Sequence, residues 1–147
     1  FRSAPEAMTQ VQSLLQDYYA RHGIRPGVDA FVESLHDYHA CLASSDVVLS
    51  TADHDFQGLS ILEASALGCT PLAPNRLVYP EYLPPAHCYP HSSDLIEQAR
   101  GAVAKLESWA ASKKNGQALP KVDMQQFRQR QLQQRYAALF ASVLTKA

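Results

Sequence analysis

Two short runs of residues decide what this chain can fold into. Asp46-Val47-Val48-Leu49-Ser50 is dense in β-branched residues and bounded by polar ones, as in a strand buried on both faces of a parallel sheet. Thr70 to Ala73 is the second run. Between them lie a polar loop, Thr51 to Gln57, and a helix that starts at Gly58, turns its core face through Leu59, Leu62 and Ala66, and stops at Gly68. Strand, loop, helix and strand in that order over about 30 residues make a βαβ unit with parallel strands and a right-handed crossover. The fold class that follows is α/β, a doubly wound parallel sheet whose ligands bind outside the carboxyl ends of the strands. The loops after Leu49 and Ala73 leave adjacent strands at that edge.

The flanking sequence fits this frame. Ser3-Ala4-Pro5-Glu6 has the form of a capping box, and Met8, Val11, Leu14, Leu15, Tyr18 and Tyr19 recur at helical spacing, so a helix is predicted from Ala4 to Arg21. Val28 to Phe31 is a short strand candidate, and Ser34 opens a second helix with Leu35, Tyr38 and Leu42 as its core face. Pro71, Pro74, Pro80, Pro84 and Pro85 make residues 74–86 read as an extended, irregular loop. Ser92 or Ser93 then caps a helix with Leu95, Ala99, Val103, Leu106 and Trp109 inward. A last helix, Asp123 to Lys146, carries Phe127, Leu132, Tyr136, Leu139, Phe140, Val143 and Leu144 on one stripe.

Composition bounds the class. At 147 residues and 46% apolar content the chain is the size of one domain with one core. No run approaches the roughly 18 apolar residues that cross a bilayer, and FRSAPEAM is no secretion signal, so a soluble, cytoplasmic protein is expected. The chain starts at Phe1 without an initiator methionine and enters a helix within a few residues, which reads as a piece of a longer protein. Cys41, Cys69 and Cys88 match neither a disulfide framework nor a zinc site and are read as reduced, packed residues. Residues 113–147 hold seven Lys/Arg against Asp123 alone, while residues 1–112 carry a net −7. The basic tail is either a contact for an anionic partner or a solvated helix face.

The chemistry concentrates in Asp53-His54-Asp55-Phe56-Gln57-Gly58-Leu59-Ser60-Ile61-Leu62-Glu63, between the first strand and the helix it feeds. The amides of Gly58, Leu59 and Ser60 sit at a helix N-terminus, where unpaired N–H groups and the dipole favour an anion such as a diphosphate. Asp55 lies in the loop and Glu63 just over one turn inside the helix, so both carboxylates can border one pocket and accept from vicinal hydroxyls. A capped helix with Glu63 on its solvent face has the same composition. Asp53-His54-Asp55 imitates a metal-binding Asp-x-Asp, and His36 and His39 lie three apart without a third ligand nearby; neither is read as a metal site. Glycine-rich phosphate loops and the Gly-x-Ser-x-Gly elbow are absent, which argues against dinucleotide oxidoreductases, triphosphatases and hydrolases of those types.

At these residues the chain resembles the retaining glycosyltransferases of the two-domain B-type fold. Their signature, Glu, seven residues, Glu, falls at the same strand-to-helix junction and reads Asp55 to Glu63 here. Residues 38–84, YHACLASSDVVLSTADHDFQGLSILEASALGCTPLAPNRLVYPEYLP, are similar to the tRNA-queuosine α-mannosyltransferase family, with its STA-x-HEFFG, GC-x-PL and PNRL-x-YPE strings. The likeness runs from about Phe1 to Leu106; PNRLVYPE, residues 74–81, is its most specific string, and residues 107–147 match only in being helical.

The resemblance implies a Rossmann-like doubly wound sheet, the C-terminal half of a two-domain B-type enzyme. Residues 1–112 would form the donor-binding domain, lacking its first strands, 113–121 a linker, and 122–147 a C-terminal helix packed on this domain or on the missing N-terminal one. It implies transfer of mannose from GDP-mannose, with retention, to queuosine in tRNA, with a nucleotide sugar as substrate and no separate cofactor or metal. Glu63 would bind ribose hydroxyls, Asp55 the donor-sugar hydroxyls, and the amides from Gln57 to Ser60 the diphosphate. His54 and Phe56 would line the donor site, and Asn75 and Arg76 would lie near sugar or phosphate. Asp55 replaces the family's Glu, about one methylene shorter, and Gln57 replaces its second aromatic, which leaves donor preference open. The family's diphosphate-neutralising Arg and Lys fall upstream of Phe1, as does its acceptor-binding domain. A related transferase acting on a saccharide or lipid, and a non-catalytic sugar-nucleotide-binding module, remain as alternatives.

Overall fold

In a computed structural model, residues 5–23 and 31–145 are described, and the chain forms two compact units, Phe1–Glu33 and Ser34–Ala147. The first unit contains helix α1, Pro5–His22, one residue offset from the predicted span. Its last turn is closed by Arg21, whose Nε donates to the Asp17 carbonyl at 3.1 Å. The Ser3 capping box, the side chains of Met8 and Val11, residues 28–30 of the strand candidate and Lys146 lie outside the described residues.

The second unit is an α/β body. Its elements run α2 (Leu35–Ala43), β1 (Val47–Leu49), α3 (Leu59–Ala66), β2 (Thr70–Pro74), α4 (Tyr79–Tyr82), a 3-10 turn (Pro85–His87), β3 (Cys88–Tyr89), α5 (Leu95–Lys114), a second 3-10 turn (Gln125–Phe127) and α6 (Gln129–Leu144). Ser34 caps α2 as expected, its Oγ accepting the Asp37 amide at 3.3 Å. The three strands are parallel in the order β1-β2-β3, with Val48 opposite Pro71 and Ala73 opposite Cys88. Residues 74–86 are therefore not one irregular loop. They hold a one-turn helix and a 3-10 turn, and the strand that follows, β3, is two residues long. Elements this short fall below any readable period.

Strand alternation sends side chains to two apolar clusters. Ile61, Ala73, Tyr79, Leu83 and Cys88 pack on the α3 face, joined by Val48 and Val122. Leu72, Tyr89, Ala102 and Trp109 pack on the α5 face, joined by Val47, Leu106 and Leu119. The predicted helix faces are rotated. In α3 the buried residues are Ile61 and Ala64, while Leu59 is 64% exposed and Ala66 is exposed. In α5 they are Ala102 and Trp109, and Leu95, Ala99 and Val103 face outward. Leu35 of α2 is also exposed. Small residues explain the rotation: a Cβ on Gly101 would already meet Pro90 at 3.1 Å, so α5 approaches the sheet on its Gly101-Ala102 side. The bulky α6 stripe is exposed from Tyr136 to Leu144, and no residue of that helix is buried. Cys69 and Cys88 are buried and unpaired as read, but Cys41 is exposed rather than packed.

Pro71 sits in the central strand, where an imino nitrogen has no ladder bond to give. The carbonyl of Pro71 is instead met by His87, whose Nδ1 donates at 2.9 Å, and β3 begins one residue later. Burial lowers the His87 pKa, so the ring is held neutral beside Trp109. The chain after α5, which runs to Lys114, returns across the amino end of the sheet. Thr70 Oγ1 donates to the Pro120 carbonyl at 2.9 Å, Lys121 Nζ binds the Gly68 carbonyl, and Lys113 pairs with Asp46. Among the described residues no helix is long and apolar enough to cross a membrane.

The rotated faces give a direct contrast. Leu72→Ala should lower unfolding free energy by about 3 kcal/mol in urea titrations, whereas Leu59→Ala should cost less than about 0.5 kcal/mol.

Candidate functional site

The site grows from the carboxyl end of β1. Ser50 extends the ladder one residue beyond the strand, its amide donating to the Leu72 carbonyl at 2.9 Å. It is buried and has several partners. Its carbonyl accepts the Tyr89 hydroxyl at 2.8 Å, and its Oγ accepts the Ala52 amide at 3.3 Å and meets the Tyr79 hydroxyl at 2.7 Å. Tyr79 Oη also lies 2.7 Å from Asp55 Oδ2. An ionised carboxylate only accepts and a phenol has one proton, so Tyr79 donates to Asp55 and Ser50 donates to Tyr79.

The other Asp55 oxygen closes the loop on itself. Oδ1 accepts the Gly58 amide at 2.7 Å and the Gln57 amide at 3.1 Å. The Tyr79 hydroxyl, followed by the Gly58 amide, holds the Asp55 carboxyl below the usual carboxylate range, against a smaller opposing effect of burial. A carboxyl lowered in the fold contributes stability above its unfolded value of 3.8 and loses it as pH falls through the lower folded value. Burial, aided by the Asp55 charge, pushes the Tyr79 phenol up to about 12.

Gly58 begins α3 in the left-handed region, φ 64° and ψ 34°. A Cβ there would stand 2.1 Å from the Tyr82 hydroxyl oxygen and 3.1 Å from a Tyr79 ring carbon. No other residue meets both demands. Tyr82 donates to the Gly58 carbonyl at 3.4 Å, and burial raises its phenol well above the ordinary value. Of the three amides expected to be open at this helix end, the Gly58 amide is therefore taken by Asp55. Those of Leu59 and Ser60 have no partner among the described residues, and both residues are exposed.

Beyond β2 the chain turns sharply. The Asn75 amide donates to the Tyr89 carbonyl at 2.8 Å, the Arg76 amide to the Pro74 carbonyl at 2.7 Å, and Leu77 adopts φ 59°, a strained value for a residue with a side chain. The turn aims Arg76 back across the sheet edge. Its Nη2 donates to the Ala52 carbonyl at 3.0 Å and to Asp53 Oδ1 at 2.6 Å, joining the loops that follow β1 and β2. Its Nε is buried without a partner among the described residues. His54 and Gln57 are exposed, and Phe56 is 94% exposed. Phe56, Gln57 and Leu59 line an open cleft of about 370 Å³ with Tyr82, Phe127 and Arg135.

Glu63 meets α2. Its Oε1 lies 2.9 Å from His39 Nε2, and both side chains are about two-fifths exposed. His36 is 90% exposed beside Asp37, and among the described residues no group of three or more His, Cys, Asp or Glu side chains is arranged to hold a metal ion. Ser50, Tyr79, Tyr82 and Tyr89 are not singled out from sequence, and Asp53 and His39 are weighed there only as metal ligands. For Tyr79 a signal existed: it stands inside PNRLVYPE.

No protein-family model matches the chain, and no solved structure matches it. Among curated proteins, the tRNA-queuosine alpha-mannosyltransferase of Drosophila melanogaster is 47% identical over 62 residues, which cover 42% of this chain and 16% of that protein. The chain thus corresponds to a minor part of that relative's length, and the similarity extends over less than half of this chain.

Proposed function

We propose that this chain is the nucleotide-sugar-binding part of a retaining glycosyltransferase that moves mannose from GDP-mannose to queuosine in tRNA. The observation that carries the reading is the Asp55 loop, folded onto Gly58 at the mouth of α3 beside two unpartnered amides, in a chain 47% identical over 62 residues to a tRNA-queuosine alpha-mannosyltransferase. The Leu59 and Ser60 amides and the helix dipole suit a diphosphate. Asp55 already accepts from the Gly58 and Gln57 amides and from Tyr79, and a donor-sugar hydroxyl would share this carboxylate with them. Glu63 then takes the ribose hydroxyls.

Asn75 and Arg76 border sugar and phosphate, and His54, Phe56 and Gln57 line the open side. Sheet and helices would form the Rossmann-like half of a two-domain B-type enzyme, with 1–112 as the donor domain, 113–121 as the connection and 122–147 as the crossing helix. In the reaction these residues orient the donor and stabilise the departing diphosphate, whose oxygen takes the acceptor proton as the new glycosidic bond forms. Asp55 and Glu63 act by binding and placement. The basic segment from Lys113 onward supplies charge for a polyanionic acceptor.

Two experiments on the full-length protein test this. Incubation with radiolabelled GDP-mannose and tRNA should place label in the tRNA; donor binding without incorporation into tRNA, saccharide or lipid would point to a non-catalytic module. Gly58→Ala should lose at least about tenfold in donor affinity by calorimetry, because the left-handed cap and the Tyr82 contact cannot both survive a Cβ. Unchanged affinity would place the donor elsewhere.

A further inference from the structure

Glu63 binds the ribose in the reading above, yet a flexible carboxylate at a half-exposed position has several rotamers to lose before it can hold a ligand. A different helix restrains it. His39 of α2 presents Nε2 at 2.9 Å from Glu63 Oε1. Because the carboxylate can only accept, the ring N–H is the donor. Tyr38, beside it on α2, also leans on this carboxylate: burial and then the Glu63 charge raise its phenol above the ordinary value. The Tyr38 and His39 rings lie 5.8 Å apart.

Helix α2 is itself fixed at both ends. Ser34 caps its start, and Cys69, buried at the foot of β2, donates its thiol to the Leu42 carbonyl at 3.1 Å. The pair is therefore tied to the sheet, while 41% exposure leaves the Glu63 side chain reachable.

We infer that His39 is a positioning residue for nucleotide recognition: its N–H anchors one oxygen of Glu63 and leaves the other turned to the vicinal hydroxyls of a ribose. The inference rests on the donor-site reading of Glu63. The ligand chemistry it selects is a nucleoside diphosphate with an intact 2′,3′-diol, since a fixed carboxylate rewards the diol and a deoxygenated sugar leaves it unpaired.

The test compares GDP with 2′,3′-dideoxy-GDP by calorimetry on the full-length protein. Wild type should prefer GDP. His39→Phe should weaken GDP by about tenfold, leave dideoxy-GDP unchanged and keep the thermal midpoint, and His39→Gln, which retains a donor, should recover most of the loss. Equal loss of both ligands, or no loss of either, would overturn the positioning role. Glu63→Ala keeps the two failures apart. If it loses GDP while His39→Phe does not, only the role of His39 falls; if it binds GDP like wild type, or wild type binds no GDP, the donor-site reading falls.

Discussion

One carboxylate holds the edge of this sheet together. Asp55 takes two amides at the start of α3 with one oxygen and the Tyr79 hydroxyl with the other, and through Tyr79 it reaches Ser50 at the end of β1. Hydrogen bonds to an ionised group are about twice as strong as neutral ones. Removing the carboxylate would leave the buried Tyr79 hydroxyl with one partner fewer and reopen the loop. The same contacts explain why Gly58 has no side chain and why the segment after β2 is strained at Leu77: both loops must close over one point, and Arg76 locks them through Asp53 and the Ala52 carbonyl. The edge is preorganised before any ligand arrives.

What that edge offers is asymmetric. Asp55 faces inward and is largely consumed by the chain, the Leu59 and Ser60 amides face outward, and Glu63 stands on the α2 side, steadied by His39. On the proposed reading an anion would meet the helix mouth and hydroxyl-rich groups the carboxylates. The chain after α5 makes its contacts with the sheet at the opposite, amino end, through Pro120 and Lys121. It then reaches the site side with Phe127, whose ring meets Tyr82 edge-on at 5.7 Å.

Much of this was legible in residues alone, for physical reasons. Val47-Val48-Leu49 and the run from Thr70 announced two strands, of which the second is buried throughout while the first is only half-buried and exposes Leu49. Gly58 and Gly68 bracketed the helix between them, because a left-handed cap and a left-handed stop leave few other choices. Helix faces were misjudged where small residues decide. Counting bulk placed Leu59 and Leu95 inward, whereas Ala64 and Ala102 are what permit close approach to the sheet. Strand β3 and helix α4 were invisible because elements of two and four residues have no period, and His87 meets the Pro71 carbonyl by a tertiary contact that no local rule foretells. In the site, Asp55 was found but the hydroxyls behind it were not: Tyr79 lies 24 residues from Asp55, and Ser50 lies 29 from Tyr79. Expecting three open amides failed for the same reason, since the loop's own carboxylate claims the first of them.

The central claim is that a diphosphate docks on the exposed amides of α3 while Asp55 keeps the loop closed. Amide chemical shifts of the isotope-labelled protein during titration with GDP address it most directly. The account predicts that the largest perturbations fall on Leu59 and Ser60, with a smaller one at Gly58, whose amide stays on Asp55. Perturbations absent from these residues and gathered instead on the outer face of α5 or along α6 would contradict it.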